Sequence, residues 1–369
     1  MKYSQIDIIG GGCAAFSLAR LIKKTPLNNI NLFLGKKNDI LQDHFWGFWK
    51  NEFNEDAYKN ANHVWNKWSI CTENSKINLF STKHPYCVIK RKKWLSFCKS
   101  ELKSNKINYF KENVIERDNY LFVKNKKIKS ELIFDSRPPD IPANALLQHF
   151  QGYVVSANKD VFDETTVILM DFRCDQSKGM HFIYLLPFSK KKALVESTVF
   201  SKKIENKKFY TTEISKYLKK YFDLTSFSVS HHEKGVIPMH QISIKASNSF
   251  NIGTRGGAVR PSSGYAFTFI QKQVSQITNQ INKEILINTE IHNKVDLFLD
   301  KIFITVIDKS PQLAPEIFSR LASQLNGDEM AKFMSGECSI LTKLKVIFAM
   351  PKLPFIKSFL LMLKSNVRN

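Results

Sequence analysis

Two glycine clusters in this sequence have the residue type that lets a backbone approach a phosphate group closely. The first cluster is residues 10–12, near the start of the chain. The second lies in residues 253–265 and contains Gly253, Gly256, Gly257, Gly264 and then Tyr265. Because glycine has no Cβ, it permits tight turns and close contact between the backbone and a ligand. The two clusters therefore indicate binding of a phosphate-bearing ligand.

The first cluster stands between a predicted strand and a predicted helix. Residues 6–9 are a short apolar run, and residues 16–22 carry apolar side chains at helical spacing. In a dinucleotide site of this order, Gly10 allows the turn, Gly12 admits the pyrophosphate to the helix N-terminus, and Ala15 keeps helix and strand close. The acid expected after the next strand is missing, and a lone pattern of this kind also occurs as a glycine-rich turn without a ligand.

The second cluster makes the dinucleotide interpretation more specific. It follows a predicted strand that ends at Gly253, and a long helix is predicted from Gly264 to about residue 287. The first turn of that helix can present backbone N–H groups to a ligand. Two clusters placed in this way favour one flavin held from both ends, and we predict FAD.

Polar and aromatic residues near other predicted strands are further candidates for binding. Asp135 ends a predicted strand, at the type of sheet edge where cofactors often bind. His44 and Trp46 belong to an aromatic stretch that is either plain core or the wall of a cavity for an apolar guest. Arg91 also ends a predicted strand and equally fits a surface cation. The histidines at positions 231, 232 and 240 lack metal spacing, so we predict no metal site.

The order of predicted elements indicates an α/β fold. Several strand-like segments succeed one another between residues 151 and 200, which favours an inserted antiparallel sheet. We predict a Rossmann-like FAD-binding domain from residues 1–140 and 228–290. Residues 141–227 would form the inserted β-sheet substrate domain, and residues 291–369 a helical C-terminal part.

The net charge of +22 comes from 55 Lys plus Arg residues against 33 Asp plus Glu. Such a charge can direct a protein to nucleic acid or to an anionic membrane, or it can reflect a compositional bias toward lysine. The basic residues are dispersed, only nine are Arg, and no helix-turn-helix or zinc-finger spacing is present. We therefore predict no nucleic-acid binding and favour membrane contact as the specific explanation.

The cysteines and the apolar segments bear on localisation. The six cysteines show no metal-type spacing and are typical of reduced thiols in a cytosolic protein. Asp7 and the first glycine cluster interrupt any signal-peptide core, and no stretch reaches about 18 uninterrupted apolar residues. We expect a soluble or peripheral protein.

The motifs taken together resemble the lycopene cyclase family of flavoproteins over nearly the whole chain. The resemblance rests on the first glycine cluster, on His44-Phe45-Trp46 and on the second cluster. It also rests on short motifs in the same order as in the family, namely Phe134-Asp135-Ser136-Arg137-Pro138, Leu147-Gln148-His149-Phe150-Gln151-Gly152, Leu169-Met170-Asp171, Phe182-Ile183-Tyr184-Leu185-Leu186-Pro187, Leu194-Val195-Glu196-Ser197-Thr198, Gly235-Val236-Ile237-Pro238, and Lys332-Phe333-Met334-Ser335-Gly336.

The resemblance implies a reaction and a catalytic acid. The reaction is the proton-initiated ring closure of lycopene, an apolar carotenoid, without net redox change but with reduced FAD present and NAD(P)H as electron donor. It implies Glu196 as the essential carboxylate. The family places a second acid next to it, where Ser197 stands here, so that role is either absent or supplied elsewhere, for instance by Asp171.

The resemblance also implies the roles of the binding residues. Arg91 would lie near the flavin, Gly256, Gly257 and Gly264 would bring backbone to its ribityl chain and ring, and His44 with Trp46 would line the substrate tunnel. The leading expectation is a lycopene β-cyclase.

Two other readings stay open. One is a related flavin monooxygenase or isoprenoid reductase, and the other is a basic membrane protein that binds carotenoid or flavin without turnover. Because lycopene is insoluble in water, we expect the protein in the cytoplasm, peripherally associated with the inner face of the cell membrane, with the apolar, lysine-bearing segments 343–350 and 354–364 as candidate contacts. A pair of core-packed terminal helices is the equal alternative for these segments.

Overall fold

The fold is described from a computed structural model that covers residues 5–22, 29–36, 43–102, 107–242, 248–283 and 290–366. Side chains are described as far as residue 363. The predicted helix end near residue 287 lies outside the described residues.

A five-stranded parallel sheet contains the strand that leads into the first glycine cluster. Its strand order is β18 (Phe250–Asn251), β12 (Leu132–Asp135), β1 (Gln5–Ile9), β2 (Asn29–Phe33) and β8 (Ile107–Phe110). The central strand β1 is an apolar run because helices cover the sheet, and Ile6 and Ile8 are fully buried. The buried polar residue on this strand, Asp7, accepts a hydrogen bond from Asn31 Nδ2 at 2.8 Å.

A seven-stranded sheet forms the second large layer. Its order is β17 (Ser228–Pro238), β13 (Leu147–Ser156), β16 (Lys192–Ser201), β15 (Met180–Ser189), β14 (Thr166–Asp171), β5 (Lys67–Thr72) and β6 (Ser75–Phe80). All neighbours are antiparallel except β14 and β5. Alternate residues face two different cores, one against the C-terminal helices and one against a single helix on the other side.

The other described strands form two small antiparallel sheets. One has the order β3 (Phe45–Trp49), β7 (Tyr86–Lys90) and β4 (His63–Trp65), and the other β11 (Lys126–Lys127), β10 (Tyr120–Val123) and β9 (Val114–Arg117). The first of them lies between the two large layers: Phe48 packs in the core of the parallel sheet and Trp49 in the core of the seven-stranded sheet. This β3–β7–β4 sheet therefore connects the two halves of the molecule.

Ten α-helices are described. They are α1 (Cys13–Ile22), α2 (Glu55–Lys59), α3 (Arg91–Glu101), α4 (Lys207–Phe222), α5 (Phe267–Asn282), α6 (Lys294–Lys309), α7 (Ala314–Gln324), α8 (Gly327–Met334), α9 (Ile340–Ala349) and α10 (Lys352–Asn366). Helices α1, α3 and α5 pack on the parallel sheet, and α4 packs on the outer face of the seven-stranded sheet. Helix α5 begins three residues after the predicted start at Gly264.

The predicted fold class is confirmed: a Rossmann-like parallel sheet, an antiparallel sheet and a helical C-terminal part are all present. The seven-stranded sheet is wider than the predicted insert of residues 141–227, because β5, β6 and β17 also belong to it. The domain boundaries as such stay a prediction. Among the described helices, none is long and apolar enough to cross a membrane alone, although the bent pair α9 and α10 meets these criteria together.

Candidate functional site

The fold brings the two glycine clusters into contact. Gly10, with φ +113°, turns the chain from β1 toward α1. Gly253, with φ +64°, begins the second cluster, and a Cβ on it would lie 2.8 Å from Ala14 Cβ in the first turn of α1. A side chain at Gly253 would therefore separate the clusters. Ala15 is fully buried in the core of the parallel sheet, as its predicted role in helix packing requires.

The backbone of both clusters borders open space. A Cβ on Gly12 or on Gly257 would meet no atom within 4 Å. In contrast, a Cβ on Gly256 would collide with the backbone oxygen of Asn251. Gly12 and Gly257 therefore offer room for a ligand, whereas Gly256 is needed for the turn itself.

Gln273 and His292 hold the second cluster in shape. Gln273 on α5 accepts a hydrogen bond from Gly253 N at 2.7 Å and donates one to Gly256 O at 3.1 Å. His292 Nε2 lies 2.9 Å from Gly257 O. Sequence analysis missed both residues, because the sequence alone does not show which glutamine of a helix, or which histidine of a loop, faces the cluster.

The carboxylate of Asp135 contacts two arginine side chains. Its carboxylate is buried and accepts hydrogen bonds from Arg137 Nη2 at 2.6 Å and from Arg137 Nε at 3.0 Å. Arg255 Nε, from the second cluster, lies 3.3 Å from the same carboxylate. Asp135 thus links the edge of β12 to the second cluster, and its role in binding a cofactor stays a prediction.

Arg91 stands near the first glycine cluster. It begins α3, and its backbone N donates to His44 O at 2.9 Å. Burial lowers the pKa of its side chain, and the neighbouring Asp43 and Cys13 act in the opposite direction. Cys13 is the first residue of α1, so Arg91 places a positive charge close to the N-terminus of that helix.

A line of aromatic residues runs from the second cluster into the seven-stranded sheet. Tyr265 accepts a hydrogen bond from Trp49 N at 3.1 Å, and the ring of Trp49 lies 4.8 Å from the ring of Tyr86. The hydroxyls of Tyr86 and Tyr184 are 2.8 Å apart. Gly47 allows this pair, because a Cβ there would collide with the Tyr86 hydroxyl.

Glu196 lies at the sheet end of this line. It stands directly opposite Tyr184 in the register of β15 and β16, and it is 8 % exposed. Its Oε1 accepts a hydrogen bond from Thr198 Oγ1 at 2.7 Å. Burial, with the neighbouring charge of Glu233 as the second cause, raises the pKa of Glu196 to about 8. The group is therefore a carboxylic acid that keeps its proton at neutral pH.

Asp171 lies on the other face of the sheet from Glu196. Its carboxylate is fully buried, pairs with Arg173 Nη2 at 2.6 Å, and accepts a hydrogen bond from Tyr217 of α4 at 2.7 Å. Ser197 also faces α4, where its hydroxyl lies 2.9 Å from His181 Nε2. The structure does not bring Asp171 to Glu196. The acid that it does bring to Glu196 is Glu233, which sequence analysis missed.

The two predicted substrate residues, His44 and Trp46, lie in different surroundings. Trp46 points to the parallel-sheet side, where its ring lies 5.7 Å from Phe267. Burial lowers the pKa of His44, whose Nε2 is buried and has no hydrogen-bond partner among the described residues. His44 is near enough to Glu233 for the two groups to influence each other electrostatically. These positions leave the assignment of both residues to a substrate tunnel a prediction.

An apolar cavity of about 320 Å³ lies between the seven-stranded sheet and the C-terminal helices. Its wall includes Ser262 and Ser263 of the second cluster, Phe200 of β16, and Phe348 and Ile356 of α9 and α10. Phe200 and Glu196 face the same side of the sheet because an even number of positions separates them. The cavity therefore borders the same face of the sheet as Glu196, although Glu196 itself is not part of its wall.

The burial of Glu196 predicts how stability depends on pH. The folded protein holds a proton that the unfolded chain loses near the ordinary pKa of 4.5, so stability should fall as pH rises from there to about 8. A Glu196→Gln variant, which keeps the acceptor for Thr198, should escape this loss. Relative to the native protein, we expect the unfolding free energy of this variant to increase by up to roughly 1.4 kcal/mol for each pH unit in this interval.

Chemical denaturation at several pH values would measure the difference. The substitution Glu290→Gln, which removes an exposed carboxylate, is the control. A difference between Glu196→Gln and the native protein that does not change with pH would mean that Glu196 is ionised in the folded protein.

The comparison with protein families covers nearly the whole chain. The family model described as lycopene cyclase protein matches residues 5–360. No curated protein matches the sequence significantly.

Solved structures share the fold at low sequence identity. A geranylgeranyl bacteriochlorophyll reductase-like protein from Thermoplasma acidophilum is 13% identical, with a TM-score of 0.61 over 96% of this chain and 98% of that chain. The flavin-dependent brominase Bmp2 is 12% identical, with a TM-score of 0.60 over 91% and 94%. A tryptophan halogenase from Shewanella frigidimarina is 12% identical, with a TM-score of 0.52 over 93% and 82%. Because the family model spans nearly all residues, this chain belongs to the lycopene cyclase family.

Proposed function

We propose that this protein is a lycopene β-cyclase. The observation that carries the proposal is Glu196, a buried carboxylic acid whose raised pKa favours its protonated form and which shares a sheet face with Phe200 in the wall of an apolar cavity. Protonation of an apolar alkene needs an acid that keeps its proton near neutral pH and an environment without competing water. Glu196 meets both conditions.

The proposed reaction conserves protons and electrons. Glu196 gives its proton to a carbon of the terminal double bond of lycopene, which leaves a tertiary carbocation. A neighbouring double bond then attacks the cation and closes the six-membered ring. Loss of one proton from a ring carbon restores a double bond, so one proton enters, one leaves, and no electron is transferred.

We propose FAD as the bound cofactor. The open space beside Gly12 and Gly257 fits a ligand, and the N-terminus of α1 with Arg91 nearby suits its diphosphate. Gly10 and Ala15 shape that turn, and Gly264 and Tyr265 continue the second cluster toward the aromatic line. Reduced FAD, with NAD(P)H as electron donor, would supply negative charge that stabilises the carbocation. The fold neighbours include proteins described as flavin-dependent, which supports this assignment.

We also propose that α9 and α10 contact a membrane surface. Their outward side chains are largely apolar: Phe348 is 71% exposed and Leu353 63%. One lysine of these segments, Lys343, does not face outward, because it is buried and pairs with Asp296 at 2.6 Å. Since lycopene partitions into bilayers, a contact at this surface would place the cavity next to its source. The protein would then act at the inner face of the cell membrane.

Expression in a bacterial host that accumulates lycopene tests the reaction. We expect conversion to γ-carotene or β-carotene, and a loss of about 10²- to 10⁴-fold in Glu196→Gln, because the general acid is removed. Glu213→Gln is the matched control: Glu213 is a buried acid of α4 that pairs with Lys216, on the other side of the sheet. Product formation with equivalent NAD(P)H consumption and incorporated oxygen or hydrogen would instead indicate a monooxygenase or a reductase.

Substitutions in the glycine clusters test the cofactor site. Gly12→Ala should fold normally, because the new methyl group meets no protein atom, yet it should weaken FAD binding on the order of tenfold, about 1.4 kcal/mol. Gly11→Ala is the control, since its Cβ would make only an ordinary contact of 3.5 Å with Leu34. Flavin absorbance per protein and thermal unfolding of the apoprotein report the two effects. Equal FAD affinity in both variants would argue against a diphosphate at Gly12.

Flotation with liposomes tests the membrane contact. Phe348→Glu should reduce binding about tenfold or more, because burial of a phenylalanine contributes about 1.5–3 kcal/mol. Ile115→Glu, at an exposed apolar residue of β9, changes the charge equally and should bind as the native protein does. Equal losses in both variants would point to net charge rather than to α9 as the origin of binding.

A further inference from the structure

Glu196 belongs to a row of residues that crosses four strands. In the register of the seven-stranded sheet, Tyr184 lies opposite Glu196, Glu196 opposite Gly152, and Gly152 opposite Glu233. Residues in such a row point to the same face of a sheet. Tyr184, Glu196 and Glu233 therefore extend their side chains into one space.

Gly152 leaves the position between the two acids empty. Neighbouring strands are about 4.8 Å apart, so the backbones of Glu196 and Glu233 are about 10 Å apart, a gap that two glutamate side chains can largely close. A Cβ on Gly152 would lie only 3.3 Å from Glu196 Cβ and 3.4 Å from Glu196 Cγ. No side chain of β13 thus separates the two carboxyl groups.

Both acids are buried, and both accept a hydrogen bond from an uncharged donor. Glu233 is 3 % exposed and accepts from Phe45 N at 2.9 Å, as Glu196 does from Thr198. Within the described part of the chain, no lysine or arginine forms an ion pair with either acid. Two carboxylates this close in apolar surroundings repel each other, so ionising both is unfavourable and the pair retains one proton.

His231 lies next to Glu233 on the same strand and the same face of the sheet. His231 Nε2 lies 3.9 Å from Glu233 Oε2, is buried, and has no hydrogen-bond partner among the described residues, while the His231 side chain is 23 % exposed. Phe45 packs its ring edge-on against His231, 5.7 Å between centroids. The titratable groups that surround the two acids are Tyr86 on β7, Tyr184 on β15, His231 on β17, and His44 just before β3.

We propose that Glu233 is the negative partner of a one-proton pair with Glu196 and keeps Glu196 in its acid form between turnovers. The proposal rests on the proposed cyclase function. When Glu196 releases its proton to the substrate carbon, the pair holds two negative charges side by side. The proton lost from the ring carbon then returns to the pair, which relieves that repulsion and restores the starting state with no electron transferred.

The substitution Glu233→Gln isolates the charge. The amide oxygen of glutamine can still accept from Phe45 N, so the local shape is kept while the negative charge is removed. Glu196 should then lose its proton at lower pH, and the pH at which cyclisation declines should fall by on the order of one unit. Glu233→Asp, which keeps the charge, should restore the native profile at least in part. Gly152→Ala, which places a methyl group between the acids, should shift the profile in the same direction as Glu233→Gln.

Infrared titration of the protonated carboxyl group in the purified protein gives a second readout that needs no lycopene. The Glu196→Gln variant assigns the band, and we expect the band to disappear at lower pH in Glu233→Gln than in the native protein. If the native protein does not cyclise lycopene but the band shifts, the pair stands and the proposed function fails. If Glu233→Gln lowers the rate without moving either the pH profile or the band, Glu233 is only a structural support and the pair is refuted.

Discussion

The burial of one carboxyl group, with no lysine or arginine paired to it among the described residues, is the constraint around which the centre of this protein is arranged. Removing an ionised carboxylate from water is far more unfavourable than removing the neutral acid, so Glu196 remains protonated and its pKa rises. Its surroundings are consistent with a neutral acid: the threonine hydroxyl of Thr198 donates to it, and the phenol of Tyr184 faces it. A lysine or arginine at this place would lower the pKa again and remove the acid from neutral pH.

The same constraint explains why two glycines outside the clusters, Gly47 and Gly152, carry no side chain. Gly152 keeps the space between Glu196 and Glu233 free, and Gly47 makes room for the Tyr86 hydroxyl. Both positions have no unusual backbone angle, so what matters is the missing side chain. Through Tyr86 and Trp49, the β3–β7–β4 sheet then connects this acidic pair to Tyr265 of the second glycine cluster. The glycine clusters and the two acids are thus parts of one continuous structure.

The sequence was sufficient to predict the parts of the site that depend on local order. Gly10, Gly12 and Ala15 form the expected turn because strand, turn and helix follow one another within a few residues. Glu196 was recognised from its motif, and its burial agrees with the proposed role. Glu233 and Gly152 were missed because their importance arises from the register between strands that are distant in sequence. Likewise, only the folded structure shows that Lys343 pairs with Asp296 instead of facing outward.

The departure at Ser197 does not remove a direct partner of Glu196, which follows from the alternation of side chains along a strand. Consecutive residues of β16 face opposite sides of the sheet, so residue 197 points to α4, where its hydroxyl meets His181. An acid at that position would lie behind the sheet from Glu196 and could not share a proton with it directly. A partner for Glu196 must instead come from the same face of a nearby strand. Glu233 on β17 satisfies that requirement, whereas Asp171, held by Arg173 on the α4 side, does not.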